Sequence, residues 1–176
     1  MTESGDLPSS GTKTSLECFK RSPYLSIKHT TYFPVYDQIF SKFIGTEFVF
    51  VEVGVFNGGS LFMWRDFFGD NARIIGIDLN PAAKQWEEYG FEIFIGSQSD
   101  PRFWKDFYSK VGRIDVLLDD GGHTFEQQIV TASSSISAIN DGGLLVVEDV
   151  HTSYMQEFGG PSPLSFMEYS KNVLDG

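Results

Sequence analysis

From residue 34 onward the apolar positions fall into two rhythms that take turns. "PVYDQIFSKFI" (34–44) places Val35, Ile39, Phe40 and Phe43 at helical spacing behind a first-turn proline, and Gly45 closes it. "EFVFVEV" (47–53) is then a continuous apolar run of strand length. The same alternation predicts helices over 59–68, 81–89, 101–110 and 124–139, two of them opening on a proline. It predicts strands over 73–78, 91–95, 114–119 and 142–149, and a last helix within "PLSFMEYSKNVLDG". Strands without a polar face are buried on both sides. Five of them separated by helices imply an α/β fold: a Rossmann-like, doubly wound, mostly parallel sheet with right-handed crossovers.

Before this alternation, "MTESGDLPSSGTKTS" is rich in Ser, Thr and Gly and lacks the apolar core of a signal peptide. The expected organisation is a disordered tail over 1–18, a helical segment over 19–45 and one domain over 46–176. A chain of 176 residues suits a single domain.

In an open parallel sheet, ligands sit at the carboxyl ends of the strands, and here nearly every such end carries an acid. "EVGVFNGGS" follows the first strand, with Gly54 for a sharp turn and free N–H groups at the next helix. Asp78 ends the second strand and can accept from ribose hydroxyls, because Asn80 is the better cap for the helix at Pro81. A glycine loop with a ribose acid fits a nucleoside. Phe56 occupies the place of the middle glycine that a dinucleotide pyrophosphate needs. S-adenosylmethionine has no phosphate and tolerates this loop, and Glu52 is placed to attract its ammonium through water.

"LLDDGGH" and "VVEDVH" end the fourth and fifth strands and bring Asp119, Asp120, His123, Glu148 and Asp149 together. Four packed carboxylates repel one another, which a divalent cation relieves, and oxygen ligands favour Mg2+, Ca2+ or Mn2+. Thr124 with Gln127 in capping-box spacing starts the following helix. His123 is therefore left for chemistry as a general base; His151 is a weaker second candidate.

The net charge of −11 argues against nucleic acid and against an anionic membrane surface. No apolar run approaches the roughly 20 residues of a membrane span. A lone cysteine, Cys18, suits a reducing compartment and hence a cytoplasmic location.

"VEVGVFNGGSL", "IIGIDLNP", "GSQSD", "IDVLLDDGGHTFEQ" and "GGLLVVEDVHTSY" resemble the successive motifs of class I S-adenosylmethionine-dependent methyltransferases. They are similar in particular to the metal-dependent sugar O-methyltransferases of macrolide biosynthesis, the mycinamicin and macrocin type. "IKHTTYFPVYDQIF" resembles the segment that precedes the core in that group, so the likeness spans about residues 24–155. The resemblance implies a cofactor loop of Glu52, Gly54, Asn57, Gly58 and Ser60, with Asp78 on the ribose. It implies Ser97 and Gln98 against the adenine, and Asp119 near the methionine end. It implies Asp120, Glu148 and Asp149 as Mg2+ ligands, and His123 with Asp120 as the catalytic pair.

The family core continues past the fifth strand with a helix and an antiparallel strand pair, for which the 27 residues after Asp149 are too few. The expectation is a fold without its C-terminal strands, either a fragment or a chain completed by another subunit, with a homo-oligomer as one way to cover the open edge. The implied reaction is methyl transfer from S-adenosylmethionine to a hydroxyl of a sugar or another small natural-product molecule, with Mg2+. The rivals are a non-catalytic methyltransferase-like binding module, an NAD-dependent oxidoreductase, and a related fold holding iron.

Overall fold

Each continuous apolar run becomes a parallel strand in the computed structural model, which describes residues 13–175. The strands are β1 (Phe48–Val53), β2 (Ala72–Asp78), β3 (Glu92–Ile95), β4 (Ile114–Asp119) and β5 (Ile139–Val147). They lie in the order β3-β2-β1-β4-β5, and every neighbouring pair is parallel. Chain order reverses between β1 and β4, which opens a crevice at their carboxyl ends. The expected doubly wound, Rossmann-like sheet is therefore present.

Among the described residues six α-helices accompany the sheet: α1 (Ser15–Arg21), α2 (Phe33–Phe40), α3 (Gly59–Phe68), α4 (Pro101–Val111), α5 (Phe125–Ser135) and α6 (Phe166–Asp175). Strand alternation sorts side chains between two cores. Phe48 and Phe50 join Tyr36, Phe40, Trp64 and Phe68 on one face. Val51 and Val53 join Trp104 and Phe107 on the other. This period places Glu52 on the Phe50 face, pointing toward Ser60 and Trp64 of α3.

Three expectations are corrected. The tail over 1–18 is helical in its last part: α1 begins at Ser15 behind a capping box. There Glu17 N–H donates to Thr14 Oγ1 (3.3 Å) and Thr14 N–H to Glu17 Oε2 (2.9 Å). Residues 1–12 of that tail lie outside the described residues. The helix over 81–89 is a 3-10 helix, Pro81–Tyr89, capped by Asn80 as expected. The helix expected over 124–139 ends at Ser135, and β5 begins at Ile139, earlier than 142, with an irregular register against Ile114 and Val116 of β4.

Candidate active site

A cleft of about 650 Å³ opens over the reversal between β1 and β4, well within the range of small-molecule pockets. One end is the glycine loop. Gly54 has φ +91°, and a Cβ there would stand 2.1 Å from the Asp120 carbonyl oxygen. Only glycine lets β1 and β4 end so close together. Asp78 fixes the loop from β2: its Oδ2 accepts from Val55 N–H (2.9 Å) and Phe56 N–H (3.1 Å), and its Oδ1 from Asn80 N–H (2.8 Å). Asn80 in turn caps Ala82 N–H at 3.0 Å. Asp78 remains on the cleft wall beside Leu79 and Phe56. These two apolar side chains are 62% and 58% exposed and form an open rim.

At the other end the acids converge, and their partner is one that the sequence did not disclose. The Lys28 side chain is 1% exposed. Its Nζ donates to Asp120 Oδ2 (2.7 Å), Glu52 Oε1 (3.3 Å) and both oxygens of Glu148 (3.3 and 3.4 Å). Burial works to discharge this ammonium, but the three carboxylates outweigh it and hold its pKa well above the ordinary lysine value. Glu148 is pushed up to about 7 by its own burial, which Lys28 opposes and the neighbouring Asp120 reinforces. The Tyr36 hydroxyl also donates to Glu148. Glu52 accepts in addition from Ser60 Oγ (2.6 Å) and Trp64 Nε1 (3.1 Å).

Asp120 and Asp149 also face a more open side, where they are 18% and 19% exposed. His123 Nε2 lies 3.4 Å from Asp149 Oδ2 and 3.9 Å from Asp120 Oδ1. His123 and Asp149 both hold left-handed backbone, φ +59° and +55°, a strained conformation for side-chain-bearing residues that gathers at functional sites. Tyr32 Oη fixes Asp149 by donating to its Oδ1 at 2.7 Å. One ligand atom each from Asp120, His123 and Asp149 falls within a 4.8 Å spread, compact enough to surround a cation.

The structure divides the expected site residues. Gly54, Asn57, Ser60, Asp78, Gln98, Asp120, His123 and Asp149 border the cleft. Glu52 does not: its oxygens are occupied inside the core by Ser60, Trp64 and Lys28, so the ammonium it attracts belongs to the protein. Gly58 turns against the Trp86 ring, and Ser97 Oγ pairs with Ser99 Oγ at 2.9 Å. Asp119 is buried beneath the loop, its two oxygens 2.9 and 3.1 Å from Gln98 Nε2, which also donates to Thr131 Oγ1 (3.1 Å), and its Oδ1 accepting from Gly121 N–H (3.1 Å). Burial raises it to about 6. Glu148 is turned from the open side toward Lys28 and Tyr36. Lys28 lies 24, 92 and 120 positions from its three partners, so no local spacing marks it.

A model of a methyltransferase domain matches residues 51–150. A rhamnosyl tetracenomycin-C 2'-O-methyltransferase of Streptomyces olivaceus is 34% identical over 83% of this chain and 41% of its own length. The demethylmacrocin O-methyltransferase of Streptomyces fradiae is 32% identical over 73% of this chain and 34% of its own. The mycinamicin VI 2''-O-methyltransferase of Micromonospora griseorubida is 30% identical over 81% and 40%. Among solved structures, a methyltransferase of the mycinamycin biosynthetic pathway in complex with Mg and SAH superposes with a TM-score of 0.83 at 26% identity, over 94% of this chain and 49% of that one. The chain thus spans less than half the length of these relatives.

Proposed function

The chain belongs to the class I S-adenosylmethionine-dependent methyltransferases, and we propose that it transfers a methyl group to a hydroxyl of a small, hydroxylated molecule of the sugar class. The carrying observation is the placement of two unlike ends on one cleft: an Asp78-clamped glycine loop, and the Asp120–His123–Asp149 group.

The cleft suits S-adenosylmethionine. Asp78 supplies a carboxylate at ribose height. Leu79 and Phe56 offer exposed apolar surface to the adenine, and Asn57, Ser60 and Gln98 supply polar groups along the wall. The bound cofactor supplies an electrophilic methyl on a sulfonium, so the C–S bond breaks as the new C–O bond forms. His123, 24% exposed at the cleft wall, receives the proton of the attacking hydroxyl. Asp149, 3.4 Å away, steadies the imidazolium that results. The protein's larger contribution is holding acceptor and donor at reactive distance in a walled cleft.

A divalent ion fits the open side. Asp120 and Asp149 offer hard oxygen atoms there, the donor type Mg2+ takes, and would hold it, with Glu148 held back by Lys28 and Tyr36. When bound, the ion supplies positive charge that favours the ionised hydroxyl. The relatives named as O-methyltransferases, one of them of a rhamnosyl compound, and the solved complex with Mg and SAH support this reading.

The test has two parts. Calorimetric titration of S-adenosylmethionine and S-adenosylhomocysteine into the chain, with and without Mg2+, should give binding; a folded chain that binds neither overturns the proposal. His123→Ala should lower methyl transfer to a hydroxylated sugar acceptor by roughly 10²–10⁴-fold while cofactor affinity is kept. Undiminished turnover would remove His123 from the role of base.

A further inference from the structure

The sequence contains three histidines, and all of them stand around one carboxylate. His123 Nε2 approaches Asp149 Oδ2 at 3.4 Å. On the other side, His29 Nε2 and His151 Nδ1 each lie 3.8 Å from Asp149 Oδ1. His29 belongs to the segment between α1 and α2, and His151 to the 3-10 turn that follows β5. Their rings meet edge to face at 5.8 Å and 89°. One ligand atom each from His29, Asp149 and His151 falls within 4.8 Å of the others.

We propose that His29, Asp149 and His151 form a second cation site, selective for a zinc-class ion (Zn2+, Co2+ or Ni2+) and sharing Asp149 with the oxygen-rich group at Asp120. The donor set decides the class: imidazole favours these ions, whereas carboxylates alone favour Mg2+. The spacing is close to what is needed. Two ligands bonded at about 2.0–2.1 Å in a tetrahedral site stand a little over 3 Å apart, and the distances here are 3.8 Å. The His29 and His151 side chains are 63% and 54% exposed and free to close the difference by rotation, while Asp149 is held by Tyr32. Three protein ligands leave further positions for water, as in open rather than closed zinc sites.

Sharing Asp149 gives the site a consequence that rests on the methyltransferase reading. An ion held by His29 and His151 on Asp149 Oδ1 sets a positive charge on the carboxylate whose other oxygen faces His123, where it repels a second cation at Asp120, so zinc-class ions should oppose the Mg2+-supported reaction.

The experiment is a Co2+ titration of the whole chain, followed by visible d–d absorption and by calorimetry, on wild type, His29→Ala, His151→Ala and His123→Ala. The inference expects one Co2+ with nitrogen ligation in wild type. Each of His29→Ala and His151→Ala should weaken it by at least about tenfold, the lower end of what even a ligand's supporting partner contributes, and His123→Ala should leave it unchanged. Loss with His123→Ala alone would place the ion in the Asp120 group and overturn the inference, as would an absence of binding to folded wild type. S-adenosylhomocysteine titration of the same variants separates the two readings, because cofactor binding without Co2+ sinks only the metal site, and Co2+ binding without cofactor sinks only the transferase.

Discussion

Replacing Lys28 by methionine keeps an unbranched side chain one atom shorter and removes its charge from the centre of three carboxylates. Unit charges about 3 Å apart attract by roughly 5–6 kcal/mol at an effective dielectric near 20, and Lys28 has three such partners, at 2.7, 3.3 and 3.3 Å. Most of that gross attraction offsets the desolvation of the ions themselves. The variant would leave Glu52, Asp120 and Glu148 uncompensated, with Glu52 and Glu148 almost wholly buried. Removing one member of a buried ion pair costs about 3–5 kcal/mol, a large part of a stability of about 5–15 kcal/mol. For a chain of this size 1 kcal/mol moves Tm by about 2–4 °C, so Lys28→Met should lower it by about 6–20 °C. Thermal unfolding followed by circular dichroism measures this directly. The double variant Lys28→Met/Glu148→Gln should recover part of the loss, with a coupling of about 0.5–3 kcal/mol in the cycle. A Lys28→Met protein that melts with wild type, or strictly additive single losses, would refute the placement of this ammonium.

Three other outcomes follow from the geometry. Gly54→Ala meets both φ +91° and the Asp120 carbonyl at 2.1 Å, whereas Gly90→Ala meets φ +82° with nothing within 4 Å. The second should therefore cost about 1–2 kcal/mol of strain in urea unfolding and the first clearly more; equal losses would argue against the close approach of the β1 and β4 ends. Asp78→Ala strips the acceptor from Val55, Phe56 and Asn80 N–H groups, so it should cost about 1–3 kcal/mol of stability and weaken S-adenosylhomocysteine binding by calorimetry; unaltered affinity would remove Asp78 from the ribose. Cys18 is fully buried, and burial, helped by Asp66, pushes its thiol up to about 11; at pH 8 a disulfide reagent should label it only after unfolding, and rapid labelling of native protein would contradict the packing of α1 on α2 and α3.

The architecture was legible because its signals are local. Continuous apolar runs gave all five strands, proline starts gave the beginnings of two helices, and Thr124 with Gln127 gave the start of α5. The start of α1 was just as local, since Thr14 and Glu17 have the same capping spacing, but the Ser, Thr and Gly preceding them dominated the composition. The early start of β5 was hidden by Asn140, Asp141 and Gly142, which read as a turn yet lie within the strand, where Gly142 takes φ +80°. In the site, the crowding of acids at the strand ends was visible, and so was their need for a cation. What sequence could not reveal is that part of the need is met by Lys28, because that pairing exists only after the chain has folded.

Two parts of the chain build the site, and they contribute opposite things. The stretch matched by the methyltransferase model, residues 51–150, carries the acids Glu52, Asp120, Glu148 and Asp149 and the imidazole of His123. The segment before it brings the groups that restrain them: Lys28 on Glu52, Asp120 and Glu148, Tyr36 on Glu148, and Tyr32 on Asp149. A parallel sheet alone cannot hold so many carboxylates at adjacent strand ends, because like charges at that spacing repel. By satisfying Glu52 and Glu148 from inside, the leading segment leaves the free carboxylate oxygens on the more open side, at Asp120 Oδ1 and Asp149 Oδ2 beside His123. The segment is thus an electrostatic part of the site as well as a cover for the core. Its tyrosines can do both because each has an apolar ring for packing and a hydroxyl for a buried acceptor.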